Sequence, residues 1–252
     1  MDDRPYVLVD DKGHRHVIPA ASGTVRVAEL GVVNPARWEE QEGRRITIGG
    51  KAFLVLRADL MDLLSHLERG AQTIGPKDIA SLLLHADVRP GARIVEGGTG
   101  TGSLTVALAA AVGTTGSVVT YDLRVTATET ARENLLRTGI RTPVTFRNGD
   151  VREAIAERDV DSVFLDLPDP WNAVPSAWEA LRPGGHLAAF SPNMEQVKET
   201  AAAIRKKPFV DLHTIELIER GMEVRDVGVR PSFAALGHTG YLTFARKVLD
   251  TF

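Results

Sequence analysis

Apolar and polar positions follow two different rhythms along this chain. Up to about residue 58, short alternating runs are broken by turn residues. YVLVD (6–10), HRHVIPA (14–20) and GTVRVAEL (23–30) are separated by DKG and ASG, which predicts short strands joined by tight turns. RRITIGGKAFLVLRA (44–58) alternates on both sides of Gly49-Gly50 and predicts a hairpin. From Pro76 the pattern becomes strand, helix, strand. PKDIASLLLHADV reads as a helix with Pro76 in its first turn. ARIVEGG (92–98), SVVTYD (117–122), VTFRNGD (144–150), SVFLDLP (162–168), HLAAFSP (186–192), LHTIELIE (212–219) and GYLTFARKV (240–248) read as seven strands. Helices are expected between them: SLTVALAAAV, TATETARENLLRTG ended by Gly139, WNAVPSAWEALRPGG, and NMEQVKETAAAIRKK. This alternation predicts an α/β fold with a mostly parallel, doubly wound, Rossmann-like sheet. A small N-terminal β domain (1–65) would precede the main domain (66–252).

Composition narrows the picture only a little. With 252 residues and 43% hydrophobic content the chain can bury one full core. The formal net charge of −3 gives no general pull towards nucleic acid. There is no cysteine, so disulfides and thiolate metal sites are excluded. MDDRPYVLVDD lacks the apolar run of a signal peptide, and no apolar stretch is as long as a membrane span. The expectation is a soluble cytoplasmic protein with no membrane and no metal. His14 and His16 alternate along one strand without further ligands nearby.

The chemistry starts at VEGGTGTGSLT (95–105), a glycine-rich turn between a strand and a helix. A phosphate-binding Walker loop would need Lys after Gly102, and it is absent; a dinucleotide loop would have glycine where Ser103 stands. The run is Glu96-x-Gly98-x-Gly100-x-Gly102, which fits the amino acid end of S-adenosylmethionine (SAM). Glycines allow close backbone approach, Glu96 could hold the loop or an amino group, and the helix start at Ser103-Leu104 would face a carboxylate. A plain strand-to-helix turn fits about as well on this run alone. Three acids at the next strand ends strengthen the ligand reading. Asp122 can accept two ribose hydroxyls, or cap a helix. Asp150 could meet an adenine amino group, or belong to an Asn-Gly-Asp turn. Asp166, in DLPDPW, is held beside Pro168, Pro170 and Trp171, a stiff aromatic rim that fits a site better than a bland turn.

These motifs resemble the tRNA (adenine(58)-N1)-methyltransferase family of the archaeal and bacterial type. The resemblance spans nearly the whole chain: RGAQTIGPKDIA, VEGGTGTGSLT, YDLR, DLPDPW, GGHLAAFSPNMEQV and VRPSFAALGHTGYLTFARK. It implies the seven-stranded SAM-dependent methyltransferase fold, SAM as cofactor and tRNA as substrate, with the methyl group going to N1 of the position-58 adenine, and leaves open whether position 57 is a second target. It implies that Gln72, Glu96, Gly98, Gly100, Thr101, Gly102, Ser103 and Leu104 line the cofactor, with Asp122 on the ribose and Asp150 and Val151 at the adenine. Asp166 would lie between cofactor and target base as the catalytic residue, and Pro170, Trp171, Phe190 and His238 would receive the base. Family members are homotetramers, which is carried over as an expectation. The chain departs from the pattern at Asp122 (usually Glu), Phe190 (often Tyr) and Gly75 (usually larger). Arg44, Arg45, Lys51, Arg205, Lys206 and Lys207 are candidate phosphate contacts, or solvated faces. Two alternatives remain: a small-molecule SAM-dependent methyltransferase, and a non-catalytic SAM- or RNA-binding subunit.

Overall fold

The structure is a computed structural model and describes residues 4–28, 30–68, 73–234 and 236–250. The first element is a four-stranded antiparallel sheet. Strands β1 (Tyr6–Val9), β2 (Arg15–Ile18), β5 (Arg45–Ile48) and β6 (Lys51–Arg57) lie in the order β2-β1-β6-β5, while β3 (Val25–Val27) and β4 (Gly31–Val33) pair separately. The expected hairpin forms as Ile48 pairs with Lys51. Gly49 and Gly50 have φ of +57° and +80°, the pair of positive angles a two-residue turn of this hand requires. Alternation puts Tyr6, Leu8, Ile18, Phe53 and Val55 on one buried face with Val33 and Trp38, and the Trp38 ring meets Tyr6 edge-on at 5.5 Å.

A short helix that the sequence reading did not assign, α1 (Leu60–Ser65), joins this sheet to the rest. Asp59 caps it, and Asp62 returns the bond to the Asp59 N–H, the reciprocal box that fixes a helix start. Buried Asp62 is also gripped by both arms of Arg15 from β2. Leu63 packs on Val7 and Ala58, whereas Leu64 enters the main core. The helix therefore belongs to both cores.

The main sheet has seven strands: β7 (Arg93–Gly97), β8 (Ser117–Asp122), β9 (Val144–Asn148), β10 (Val160–Leu165), β11 (Leu181–Ser191), β12 (Phe209–Glu216) and β15 (Tyr241–Lys247). They lie in the order β12-β15-β11-β10-β7-β8-β9. All neighbours are parallel except β15, which runs antiparallel to both β11 and β12. The connecting helices are α2 (Pro76–His85), α3 (Ser103–Val112), α4 (Val125–Thr138), α5 (Val174–Ala180) and α6 (Met194–Ile204). Helix α3 is apolar almost all round, and α1, α2, α4 and the sheet pack about it, as such a helix requires. Val106, Ala107, Leu108 and Ala109 are fully buried. Truncating Leu108 to Ala would cost about 2–5 kcal/mol.

One expectation fails locally, and one element was not expected. The helix expected over WNAVPSAWEALRPGG is a single 3-10 turn (Pro170–Ala173) followed by α5, and β11 begins already at Leu181. Pro183 explains the early stop: it disfavours helical backbone at Arg182, and Gly184 at φ +75° absorbs the irregularity in strand register. An unassigned hairpin, β13 (Met222–Arg225) with β14 (Gly228–Pro231), stands between β12 and β15. Its alternation is apolar but unburied, since Val224 is 76% and Val227 is 96% exposed.

Candidate cofactor and base site

The chain runs outwards from β7 to β8 and β9, then returns to place β10 on the other side of β7. In an open α/β sheet, ligands sit at the carboxyl ends of strands at this reversal. The glycine turn leaves β7 there and Asp166 leaves β10 there. The two are joined through the main chain, because Asp166 N–H donates to Gly97 O at 2.8 Å. Gly98 lies so close that a Cβ on it would sit 2.0 Å from the Asp166 carbonyl oxygen. Its N–H and that of Thr99 both donate to Tyr121 O on β8. Gly100 (φ +52°) faces open space, whereas a Cβ on Gly102 (φ +86°) would meet Ala131 of α4 at 2.9 Å. These glycines therefore have different jobs: Gly98 and Gly102 permit packing, and Gly100 leaves room above the loop.

The loop is also pinned from beneath by residues that sequence reasoning missed. Fully buried Asn134 of α4 donates to Thr101 O at 2.9 Å and exchanges hydrogen bonds with the main chain of Glu68. The hydroxyls of Thr99 and Thr120 meet at 2.7 Å. Thr105 donates to Glu96 Oε2 at 2.5 Å. The other Glu96 carboxyl oxygen is buried without a hydrogen-bond partner among the described residues. Burial lifts the Glu96 carboxyl to about 8, and the charges of Asp166 and Asp122 add to the effect. Ser103 and Leu104 open α3 and are buried.

The three strand-end acids differ in their surroundings. Asp122 is buried and its carboxylate accepts from Gly100 N–H at 3.1 Å and from Arg124 through backbone and guanidinium. Burial pushes its carboxyl up, but Arg124 and Gly100 outweigh this and hold it below the usual range. Arg152 forks onto Asp150, with the shortest contact 2.6 Å, and lowers that carboxyl too. Asp166 has no such partner among the described residues. Burial, with the charge of Asp122, lifts it to about 6 against the opposing charge of Arg124. Asp169 accepts from Arg152 and from Asn172. It is tied into the turn after Asp166 and acts as its anchor.

The remaining expected residues are placed as follows. Val151 is buried with its side chain packed against Gly97, where a Cβ would meet it at 2.7 Å. Pro170 is buried and Trp171 is half-buried at the head of the 3-10 turn. Phe190 ends the inner face of β11 and lies under the main chain of Gly240, where a Cβ would come within 2.4 Å of its ring. His238 meets Glu216 at 2.6 Å and Pro192 O at 2.9 Å, so both ring nitrogens are engaged. The Pro192 carbonyl, then Glu216, raise its pKa. Lys77 reaches from α2 to Thr239 at 2.6 Å, clamping the same turn. Gln72 lies outside the described residues. Among the described residues no group of three or more His, Cys, Asp or Glu could hold a metal, and no helix is long and apolar enough to cross a membrane.

This strand order, with a glycine turn after β7 and acids after the next three strands, defines the SAM-dependent methyltransferase fold. Solved structures agree. One described as a SAM-dependent O-methyltransferase from Thermotoga maritima superposes with a TM-score of 0.86 at 30% identity, covering 100% of this chain and 96% of that one. The tRNA (m1A58) methyltransferase TrmI from Aquifex aeolicus gives 0.77 at 25% identity, with 99% and 98% covered. Residues 62–232 match the family described as tRNA methyltransferase complex GCD14 subunit. The tRNA (adenine(57)-N(1)/adenine(58)-N(1))-methyltransferase TrmI of Methanocaldococcus jannaschii is 38% identical, over 95% of this chain and 94% of that protein. The tRNA (adenine(58)-N(1))-methyltransferase TrmI of Thermus thermophilus is 35% identical, over 96% of each. The chain belongs to this tRNA methyltransferase family.

Proposed function

We propose that this chain transfers a methyl group from SAM to N1 of the adenine at tRNA position 58, giving 1-methyladenosine. One observation carries the reading within this family: Asp166, the strand-end acid with no ion-pair partner among the described residues, is main-chain bonded to the turn that would hold the cofactor. The residues fit SAM. The partnerless Glu96 oxygen and the open face of Gly100 suit its amino acid end, Asp122 suits the ribose, and Asp150 with the Val151 main chain suits the adenine. When bound, SAM supplies an electrophilic methyl group on a sulfonium.

Adenine N1 has a free lone pair at neutral pH, so no base is needed to create the nucleophile. Asp166 accepts a hydrogen bond from the target N6 amino group, aims N1 at the methyl and balances the positive charge that develops on the ring. One such group is worth about 100-fold or more in rate. The target base must leave its stack, and Pro170, Trp171 and Phe190 form the apolar rim that receives it. His238 supports that rim by holding its turn. The alternative substrate, a small molecule, has the description of the Thermotoga neighbour in its favour. The tRNA relatives cover nearly the whole chain, and this weighs more.

The same reading places the chain in the cytoplasm, divides it at residue 65/66 where the shared helix α1 ends, and makes it a homotetramer. Exposed Ile218, Met222, Val224, Val227, Val229 and Phe233 on and beside the β13–β14 arm are the surface such an assembly would cover. The test is incubation with labelled SAM and unmodified tRNA, then digestion and nucleoside identification. 1-Methyladenosine at position 58 is expected, and mapping also reads position 57. SAM binding with no methylated tRNA would overturn the reading.

A further inference from the structure

Two of the strand-end acids carry the same short pattern, Asp122-Leu-Arg124 and Asp150-Val-Arg152. In each, the arginine folds back on the acid two positions before it. A carboxylate has about four acceptor positions, and Asp122 has all four filled. Oδ1 takes the Arg124 N–H at 2.9 Å and Nε at 3.2 Å; Oδ2 takes the Gly100 N–H at 3.1 Å and Arg124 Nη2 at 3.2 Å. No position is left for ribose hydroxyls unless the Arg124 guanidinium withdraws. Gly100 is part of the loop and stays.

The two arginines differ in how firmly they are held. Arg152 is anchored at both ends, on Asp150 and on Asp169 at 3.0 Å, so it can give up one contact without leaving. Among the described residues Arg124 has a single carboxylate partner, through two long guanidinium contacts, and its side chain is 70% exposed. It also lies close enough to Asp166 for their charges to interact. A nucleotide whose base reaches Asp166 must bring its phosphates to this rim.

We propose that Arg124 is a tRNA phosphate ligand held in reserve: it occupies Asp122 until the cofactor ribose displaces it, and then binds the backbone beside the target adenosine. The inference rests on Asp122 as the ribose acid. It makes cofactor and tRNA binding mutually favourable, because a free guanidinium gains more from a phosphate than one already paired. By linkage, tRNA strengthens cofactor binding by the same factor.

The experiment measures tRNA affinity across a KCl series with and without S-adenosylhomocysteine (SAH), for wild type, Arg124→Met and Arg124→Lys, with SAH affinity measured separately by calorimetry. One added phosphate contact steepens the dependence of log affinity on log salt by about 0.7–0.9, roughly threefold between 50 and 200 mM. Wild type and Arg124→Lys should show this increment only with SAH, and Arg124→Met should lose it while binding SAH at least as tightly as wild type. Equal slopes with and without SAH in wild type would overturn the proposal. So would loss of SAH binding in Arg124→Met, which would make Arg124 a support of the cofactor site. Asp122→Asn separates the two layers. Weakened SAH binding in that variant upholds the ribose assignment whatever the salt slopes show; unchanged SAH binding removes the assignment and the release of Arg124 with it.

Discussion

Gly98→Ala is the sharpest probe of the link between the glycine turn and Asp166, the residues proposed to hold the cofactor and orient the target base. The added Cβ would stand 2.0 Å from the Asp166 carbonyl oxygen and 2.9 Å from its carbonyl carbon. Both are backbone atoms, so no side chain can rotate away. Relief requires β7 and β10 to separate by about 1 Å at this point, taking van der Waals contact as near 3.5 Å less what angles absorb. The backbone at φ +95° adds about 1–2 kcal/mol for a residue with a Cβ, and overpacking adds about 1–3 kcal/mol. A loss of about 2–5 kcal/mol is expected, read as a fall in urea midpoint at unchanged m-value. Folded variant protein should also lose about 100-fold in kcat, because a displacement near 1 Å misplaces the Asp166 carboxylate. Gly100→Ala is the control. Its Cβ meets nothing within 4 Å, so stability should fall only by the about 1–2 kcal/mol of its left-handed backbone, while SAH affinity falls because the cofactor's space is filled. The reasoning is refuted if Gly98→Ala keeps near-normal kcat, or if the two variants lose the same property.

Three other outcomes are expected. The single-turnover methylation rate should rise with pH through about 6 and then level, because ionised Asp166 is the active form and its carboxyl is held at about 6; Asp166→Asn should lower the rate about 100-fold and abolish that limb. Glu96 is held at about 8, above its unfolded value, so the folded chain binds the extra proton and cofactor-free stability should fall as pH rises from 6 to 8. Thermal melts of Glu96→Gln should lack that slope, and a slope kept in full would assign it elsewhere. Gly240→Ala would press a Cβ to 2.4 Å from the Phe190 ring; if Phe190 faces the target base, KM for tRNA should rise several-fold with SAH affinity unchanged.

Some of this architecture was legible in the sequence and some was not, for separable reasons. The glycine turn and the acids at 122, 150 and 166 could be read because strand alternation puts them all at carboxyl ends, where the sheet reversal gathers them. Asp166 and Gly98 touching could not be read, since that contact depends on the strand order around β7. Asn134 and Thr105 were missed because their work is to hold main chain and a buried carboxyl, and polar residues within a helix usually signal only an exposed face. The Asp-x-Arg pairs were visible as spacing, but their meaning needed the geometry of the fork. The misplaced helix end at 180 had a local signal in Pro183 that the following glycines obscured. His238 was read as a turn residue beside the pocket, but its two partners, Glu216 at the end of β12 and the carbonyl of Pro192 after β11, lie far away in the sequence and could not be read from it.

Strand β15 enters the sheet between β11 and β12, antiparallel to both, although it follows them in the chain. During synthesis β11 and β12 emerge before the strand that separates them, and each must wait with an unpaired edge. Edges of this kind invite pairing with one another or with other chains. Residues 238–240, which brace Phe190, lie immediately before β15. The rim proposed for the target base is thus among the last parts of the molecule to take shape, after the strands that carry the glycine turn and Asp166. A nascent chain arrested before β15 would have the strands of its glycine loop and Asp166 but not the turn that covers Phe190, a maturation order dictated by topology alone.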